Sequence, residues 1–388
     1  MPGKQGVKIG RKKTVQLTER KEQTRGEKIK ALEEEISQTK YNKKTQHAIG
    51  LMKAKLAMLK DMAEKRAAVG KAKGDDRFTV RKTGDGSVVL LGFPSVGKST
   101  LLNKLTNARS DVAAYSFTTL SAVPGVMNYK HAHIQIIDVP GVVSGAAAGR
   151  GRGKEVLGML RNADLILILI DALSPQHYKA LLQEIFDSGI RINQKKPDVH
   201  ITKKERGGVS VGIAVRLTKI DEQTIIDIAR EMGLNNADIL VRDDIDIDQL
   251  IDVIEDTRVY TKALTVITKM DLLDNETLKK ICMEIRPDAV ISAEKGEHLE
   301  ELREAIFDKM GFIRIFLKEV NKKADMEEPM IMFEGSTIKD ICLKLHKDFV
   351  EKFKFARVWG KSAKFPGQGF RRLDKVLLDG DILELHIN

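Results

Sequence analysis

Thiols are scarce in this sequence: 388 residues hold two cysteines, Cys282 and Cys342, far apart and neither in a CxxC pair. That excludes a disulfide framework and a zinc ribbon, and makes a reducing compartment the default expectation. No apolar run approaches the roughly 20 residues that cross a bilayer. The first residues are polar and lysine-rich with no apolar stretch behind them, so a secretory signal peptide is not expected. There is also no internal repeat. What the sequence does have is 42% hydrophobic and 31% charged residues, enough to bury a core and stay soluble, and a length that suits two to four domains.

The net charge of +11 is one-ended. Residues 1–75 contain 20 Lys and Arg against 9 Asp and Glu, whereas the rest contains 46 of each. Such asymmetry marks either an arm for a polyanion, such as nucleic acid or an anionic surface, or a solvated tail.

Residues 1–25 lack apolar periodicity and read as a disordered basic tail. Residues 26–70 read as a helical hairpin, with Ile29, Leu32 and Ile36 and then Ile49, Met52, Leu56 and Leu59 at helical spacing. A glycine- and lysine-containing linker follows. Short apolar runs at 88–91, 134–137, 165–170 and 264–267 are expected as buried strands that alternate with helices. The expected fold class is therefore α/β, a mostly parallel sheet with helices on both faces. Asp171 and Lys269 each close one of these runs but stand 98 residues apart. A βα crossover takes about 30 residues, so residues 191–257 are expected as a small α/β insert between halves at 85–190 and 258–315. Within the insert the pattern predicts a hairpin over 199–215, helices over 222–232 and 247–254, and a strand over 239–241. Residues 328–388 read as strand, helix, strand, turn and strand, which fits a β-grasp domain.

Four motifs carry chemistry. Gly92-Phe93-Pro94-Ser95-Val96-Gly97-Lys98-Ser99 has the GxxxxGK[ST] form between a predicted strand and a predicted helix. Its glycines let the backbone bend so that successive N–H groups turn toward phosphate oxygens at a helix N-terminus, with Gly92, Pro94, Ser95, Val96, Gly97, Lys98, Ser99 and Thr100 expected around the nucleotide. Lys98 would neutralise β- and γ-phosphates, and Ser99 would bring its hydroxyl to Mg²⁺. Asp138-Val139-Pro140-Gly141 ends a strand 40 residues after Lys98; its carboxylate would hold Mg²⁺ through water, and the Gly141 N–H would meet a γ-phosphate. Thr268-Lys269-Met270-Asp271 ends a later strand, where the Asp271 carboxylate would accept from guanine N1–H and its amino group, a pair that adenine lacks. Ser292-Ala293-Glu294 would touch the base from its other edge. Together, in this order, the motifs imply GTP binding and hydrolysis, with GTP and GDP as ligands.

Tyr115-Ser116-Phe117-Thr118-Thr119-Leu120 and the glycine-rich run from Gly145 to Gly153 resemble the two switch regions of Obg-like GTPases. With the lysine-rich hairpin, the interrupted GTPase domain and the C-terminal β-grasp (TGS) unit, the sequence resembles the developmentally regulated GTP-binding proteins, the DRG branch, from about residue 26 onward. The resemblance implies a cytoplasmic GTPase that associates with ribosomes, acts in translation or ribosome function, and pairs with a dedicated regulatory protein. It also makes Thr119, or its neighbour Thr118, the switch threonine that meets Mg²⁺. Val142 stands where Ras-type enzymes place the glutamine that orients water, so another group completes the site or the protein acts by binding alone. Thr268 replaces the usual asparagine and is expected to remove a tie to the phosphate loop. Ser95 stands where potassium-activated relatives carry asparagine, which counts against a potassium requirement.

Three further candidates are read blandly. His131 and His133 share a face of a predicted strand, with no acidic or thiol ligand beside them. The run 203–208 reads as a solvated turn. Trp359 near Arg357, Lys361 and Lys364 could stack on RNA, but a single tryptophan in a small domain is expected in the core.

Overall fold

The computed structural model describes residues 25–40, 42, 45–69, 84–106, 123–138 and 153–387. The basic tail before Arg25, the linker and, apart from Gly153, both expected switch segments, with Thr118, Thr119, Gly141 and Val142, lie outside the described residues. Along the chain run α1 (Arg25–Gln38), α2 (Gln46–Val69), β1 (Gly86–Leu91), α3 (Lys98–Leu105), β2 (Val123–Tyr129) and β3 (Ala132–Asp138). Then come α4 (Gly153–Asn162), β4 (Leu165–Asp171), α5 (His177–Asp187) and β5 (Ile190–Ile192). The insert supplies β6 (Val199–Lys203), β7 (Val209–Ile213), α6 (Glu222–Glu231), β8 (Ala237–Val241) and α7 (Ile247–Glu255). β9 (Val259–Thr268), α8 (Asn275–Ile285), β10 (Ala289–Val290) and α9 (Leu299–Met310) follow. The chain closes with β11 (Phe312–Lys318), β12 (Met330–Phe333), α10 (Ile338–Leu345), α11 (Asp348–Glu351), β13 (Phe353–Trp359), β14 (Gln368–Phe370) and β15 (Ile382–Ile387).

These elements form two compact units, one from segments of 1–73 and 197–256, the other from 74–196 and 257–388. In the second unit the main sheet has the order β10-β9-β4-β1-β3-β2, with β5 also on β9. Its strands are parallel except for the antiparallel β2–β3 pair. β4 shows why the sheet is sandwiched. Leu165, Leu167 and Leu169 enter a core with Leu101 and Leu105 of α3 and Ile306 and Met310 of α9. Ile166, Ile168 and Ile170 enter another with Leu160 of α4, Leu181 of α5 and Ile285 of α8. An unbroken apolar strand buries alternate residues on opposite faces, and each such side chain contributes about 1.5–3 kcal/mol.

A five-stranded sheet of order β12-β11-β15-β13-β14 forms the C-terminal part of the same unit. β11 belongs to this sheet, so the C-terminal module begins at Phe312, ahead of the expected boundary between 315 and 328. Phe312 and Ile331 nonetheless pack into the core of the main sheet, and Lys344 Nζ lies 2.8 Å from Asp85 Oδ1. A shared core obscures such a boundary in a sequence.

The first unit corrects two expectations. β6 and β7 do not form a hairpin: both pair with β8, β6 antiparallel and β7 parallel, in the order β6-β8-β7. Ile201 and Val211 therefore lie opposite Ile239 on either side, because the later strand is the more apolar one and takes the centre. Second, the helical hairpin and the insert share one core. Ala54 of α2 is buried with Ile225, Ile228 and Leu250, and a Cβ on Gly50 would stand 3.1 Å from Ile228 Cδ1. Lys53 adds an ion pair to Asp248 at 2.7 Å. His131 falls in the turn before β3, with φ of 68°, so it does not share a strand face with His133.

Candidate functional site

β1, β3, β4 and β9 all run parallel, and their C-terminal ends carry the polar residues singled out above. Ligands bind such sheets outside the carboxyl ends of the strands. The phosphate loop leaves β1 at Gly92. A Cβ there would meet the Leu169 carbonyl oxygen at 2.8 Å and Val96 Cγ1 at 2.9 Å, so only glycine fits. Ser95 and Gly97 adopt positive φ, 63° and 94°, which turns the chain back on itself before α3. Gly97 caps α3 without any side-chain hydrogen bond, leaving the N–H groups of the first turn directed at whatever lies beyond the helix.

Lys98 is buried, with Nζ donating to the carbonyls of Gly92 and Phe93 at 3.0 Å each. Burial pushes its ammonium below the usual lysine range, and the charge of Asp138 opposes that shift. A phosphate beside it would replace lost hydration with charge. Asp138 closes β3 opposite Leu90. Its Oδ2 accepts from Ser99 Oγ at 2.8 Å, while Oδ1 is buried without a hydrogen bond. A buried carboxylate oxygen left unpaired is costly. Together with the adjoining hydroxyl it forms an all-oxygen donor set, the kind Mg²⁺ prefers. The residues present fit that ion.

On the other side, Lys269 begins a turn with φ of 59° that continues as a 3₁₀ segment, Met270–Leu272. The Met270 N–H donates to the Ile291 carbonyl at 3.2 Å, pinning the turn to the Ser292-Ala293-Glu294 loop. Ser292 is fully buried and its hydroxyl accepts from the Lys295 N–H at 3.2 Å. A hydrogen bond from Ser292 holds the Asp271 carboxyl below the ordinary aspartate range. Asp271 is thus an ionised acceptor placed at the rim, where a donor pair would meet it.

Thr268 corrects the expectation of a lost tie. It is buried, and its hydroxyl lies 2.8 Å from the Val96 carbonyl and 3.3 Å from that of Ile170. A hydroxyl on the strand end reaches the phosphate loop as an asparagine amide would. Thr268→Val keeps the shape and removes the donor, so it is expected to lower stability by about 1–3 kcal/mol and weaken GDP binding; urea unfolding and calorimetry check both, and an unchanged midpoint would refute the tie.

Two contacts go beyond what the sequence pattern suggests. Asp171, opposite Thr268, forms an ion pair with Lys269 at 2.6 Å and accepts from the Leu173 N–H at 2.9 Å. A carboxylate ending an all-apolar strand is the available signal, the same one that singles out Asp138. Phe93 stacks on His177 of α5 with centroids 4.0 Å apart and planes at 15°. No local pattern links those two positions.

A family model described as a 50S ribosome-binding GTPase matches residues 87–204, one for the C-terminal region of that domain matches 206–312, and a TGS domain model matches 313–387. A developmentally-regulated GTP-binding protein 2 homolog of Dictyostelium discoideum is 42% identical over 361 residues, covering 92% of this chain and 98% of its own. The chain belongs to the developmentally regulated GTP-binding protein family. It is a GTP-binding GTPase of that family with a C-terminal TGS domain. Other relatives are an uncharacterized GTP-binding protein of Methanocaldococcus jannaschii, 50% identical over 365 residues with 93% and 92% covered, and developmentally-regulated GTP-binding protein 1 of Xenopus laevis, 38% over 361 residues with 92% and 98% covered. Among the described residues no helix is long and apolar enough to cross a membrane.

Proposed function

We propose that this DRG-family chain is a regulatory GTPase that binds Mg²⁺–GTP at the strand ends and uses the nucleotide state to control its association with ribosomes or structured RNA in the cytoplasm. In this reading Lys98 and the backbone N–H groups of Ser95, Val96, Gly97, Ser99 and Thr100 hold the phosphates, with Gly92 and Pro94 shaping the loop. Ser99, Asp138 through water, and Thr119 hold Mg²⁺, Gly141 meets the γ-phosphate, and Thr268, Lys269, Asp271, Ser292, Ala293 and Glu294 hold the guanine. The observation that carries it is the unpaired buried oxygen of Asp138 against the Ser99 hydroxyl and the Lys98 ammonium. A metal–phosphate pair answers all three at once. The description of the matching family as ribosome-binding and the basic excess of residues 1–75 support the ribosome as the place of action. A family-specific regulatory protein is its expected partner.

Val142 has no polar atom with which to orient water. Intrinsic turnover should therefore not exceed the roughly 10⁻⁴–10⁻³ s⁻¹ of an unassisted Ras-type site, and ribosomes should raise it. Multiple-turnover phosphate release, with and without ribosomes, measures both. Turnover near 1 s⁻¹ from the protein alone would contradict the incomplete site. Nucleotide binding with no turnover under any condition would favour a second reading, an RNA-binding scaffold in which nucleotide is structural.

The basic arm gives an independent test. Residues 1–25 contain eight Lys and Arg. With about six or more phosphate contacts, RNA affinity falls by orders of magnitude between about 50 and 200 mM salt. Deleting residues 1–25 should flatten that slope and leave GTP affinity unchanged. Superimposable filter-binding curves for the two proteins at three salt concentrations would reduce the arm to a solubilising tail.

A further inference from the structure

The chain's one tryptophan is not in the core. Trp359 is only partly buried and lies outside the C-terminal cluster, with Lys318 Nζ 4.9 Å over its ring. That contact stays within the C-terminal sheet. The stack of Phe93 on His177 reaches further. It ties the phosphate loop to the segment after β4, and the other end of that segment grips the turn that carries Asp271.

Residues 171–177 join β4 to α5 in a short loop that holds its own shape. Asp171 Oδ1 accepts from the Leu173 N–H at 2.9 Å. The Ser174 N–H donates to the Asp171 carbonyl at 2.9 Å, and the His177 N–H to the Ser174 carbonyl at 3.2 Å. An aspartate oxygen that accepts from the backbone two residues on replaces a hydrogen bond the chain would otherwise lack. Pro175 fixes one further φ in the middle of the loop. What happens at one end is therefore passed to the other with little give.

At the first end, the Asp171 Oδ2 pairs with Lys269 Nζ at 2.6 Å, and the Ala172 N–H donates to the Thr268 carbonyl at 3.1 Å. Lys269 has φ of 59° and ψ of 36°, a left-handed conformation that a lysine adopts only when its surroundings impose it. The two side chains are 18% and 32% exposed, so water screens this pair less than an ordinary surface pair. Past Lys269, the Met270 N–H donates to the Ile291 carbonyl at 3.2 Å. The turn is thus fixed on both sides of the site, with Asp171 as the fixture on one.

At the other end, the rings of His177 and Phe93 lie nearly parallel, 4.0 Å apart. Phe93 is the second residue of the phosphate loop. Its carbonyl accepts from Lys98 Nζ at 3.0 Å and from the Val96 N–H at 3.4 Å. Where its ring is seated therefore sets where that carbonyl, and the lysine it holds, begin. An aromatic stack adds to plain burial, and Phe93 also packs against the core beneath α5.

We propose that the β4–α5 loop is a brace between the two halves of the nucleotide site, with Asp171 positioning the base turn through Lys269 and His177 positioning the phosphate loop through Phe93. A nucleotide joins its base and phosphates by a fixed covalent distance. A site already set to that distance orders less on binding. The brace rests on the reading of the strand ends as a nucleotide site.

Affinities of the full-length protein for GDP, GMP and inosine diphosphate, measured by competition against a fluorescent GDP, separate the two ends. Preference for GDP over inosine diphosphate reads the base turn, because inosine lacks the exocyclic amine. Preference for GDP over GMP reads the phosphate loop. Asp171→Asn keeps the shape and removes the charge. It should lower the first preference by about threefold or more and leave the second unchanged. Lys269→Gln removes the same pair from its other side and should shift the same ratio. His177→Ala should lower the second preference by about threefold or more and leave the first unchanged. His177→Phe keeps a flat ring on Phe93 and should restore it. Thermal unfolding without nucleotide checks that each variant is folded. General loosening moves both ratios together, so only a positioning role gives the crossed pattern. Ratios that move together, ratios that do not move, or a His177→Phe that behaves like His177→Ala would overturn the brace. Asp271→Asn and Lys98→Ala in the same assay test the reading beneath it. If neither weakens GDP binding, the strand-end site fails and the brace with it; if both do while Asp171→Asn and His177→Ala are silent, the brace alone fails.

Discussion

Asp271→Asn should lower GTP affinity by two or more orders of magnitude while improving binding of xanthosine triphosphate. Asp271 is held ionised by Ser292 and is fixed through the Met270 contact to Ile291, so it is an acceptor that cannot easily turn away. Guanine would donate to it through N1–H and the exocyclic amine, and a hydrogen bond to a charged group is worth about 1.5–3 kcal/mol. The amide of asparagine sets its own donor against one of those donors, losing one bond and leaving another group unpaired. Xanthine replaces the amine with a carbonyl, and the new N–H then finds an acceptor. Calorimetric titration with both nucleotides reads the switch. An unchanged GTP affinity would remove Asp271 from the base site, whatever happened with xanthosine.

The phosphate end should respond differently. Lys98→Ala is expected to collapse the preference for GTP over guanosine, because the lost group is the buried cation and not a base contact. Lys98 Nζ is held by two carbonyls of its own loop and stays short of its normal basicity through burial; a β- or γ-phosphate is a stronger acceptor than either carbonyl. Without it the N–H groups at the start of α3 still attract anions, so weak binding should persist with little dependence on phosphate number. Affinities for GTP, GDP and guanosine measured in parallel give that ratio directly, and thermal unfolding in the absence of nucleotide controls for folding. A ratio unchanged from the unsubstituted protein would mean that Lys98 faces elsewhere when nucleotide is bound.

The strand-end constellation proposed as the nucleotide site is largely legible in the sequence because its parts are local. Gly92 and Gly97 are called for by a turn, Lys98 and Ser99 begin the following helix, and Asp138 and Asp271 sit at or just past strand ends that apolar runs mark plainly. Thr268 misleads for the opposite reason. Its identity suggests a missing amide, but its reach to the Val96 carbonyl depends on how closely β9 and the phosphate loop approach, which residue type alone does not specify. The pairing of Asp171 is equally hidden, since its partner, Lys269, is 98 residues away, although the parallel register of β4 and β9 sets Asp171 beside Thr268, the residue just before Lys269.

Apolar period and glycine placement, read over neighbours a few residues apart, are enough to establish a parallel α/β nucleotide-binding sheet and a C-terminal β-grasp module, while the 98-residue interval between two strand ends and a simple charge count add the insert and the one-ended basic excess. Long-range packing settles the rest. Ala54 and Gly50 are too small to stand out in an apolar stripe, yet their size admits α6 and joins the N-terminal helices to an insert more than a hundred residues later. β8 comes between β6 and β7 because a central strand needs the most buried side chains. The outward face of β13 is defined only by the packing of α10 over the other one, because alternation tells which residues share a face but not which face is left bare.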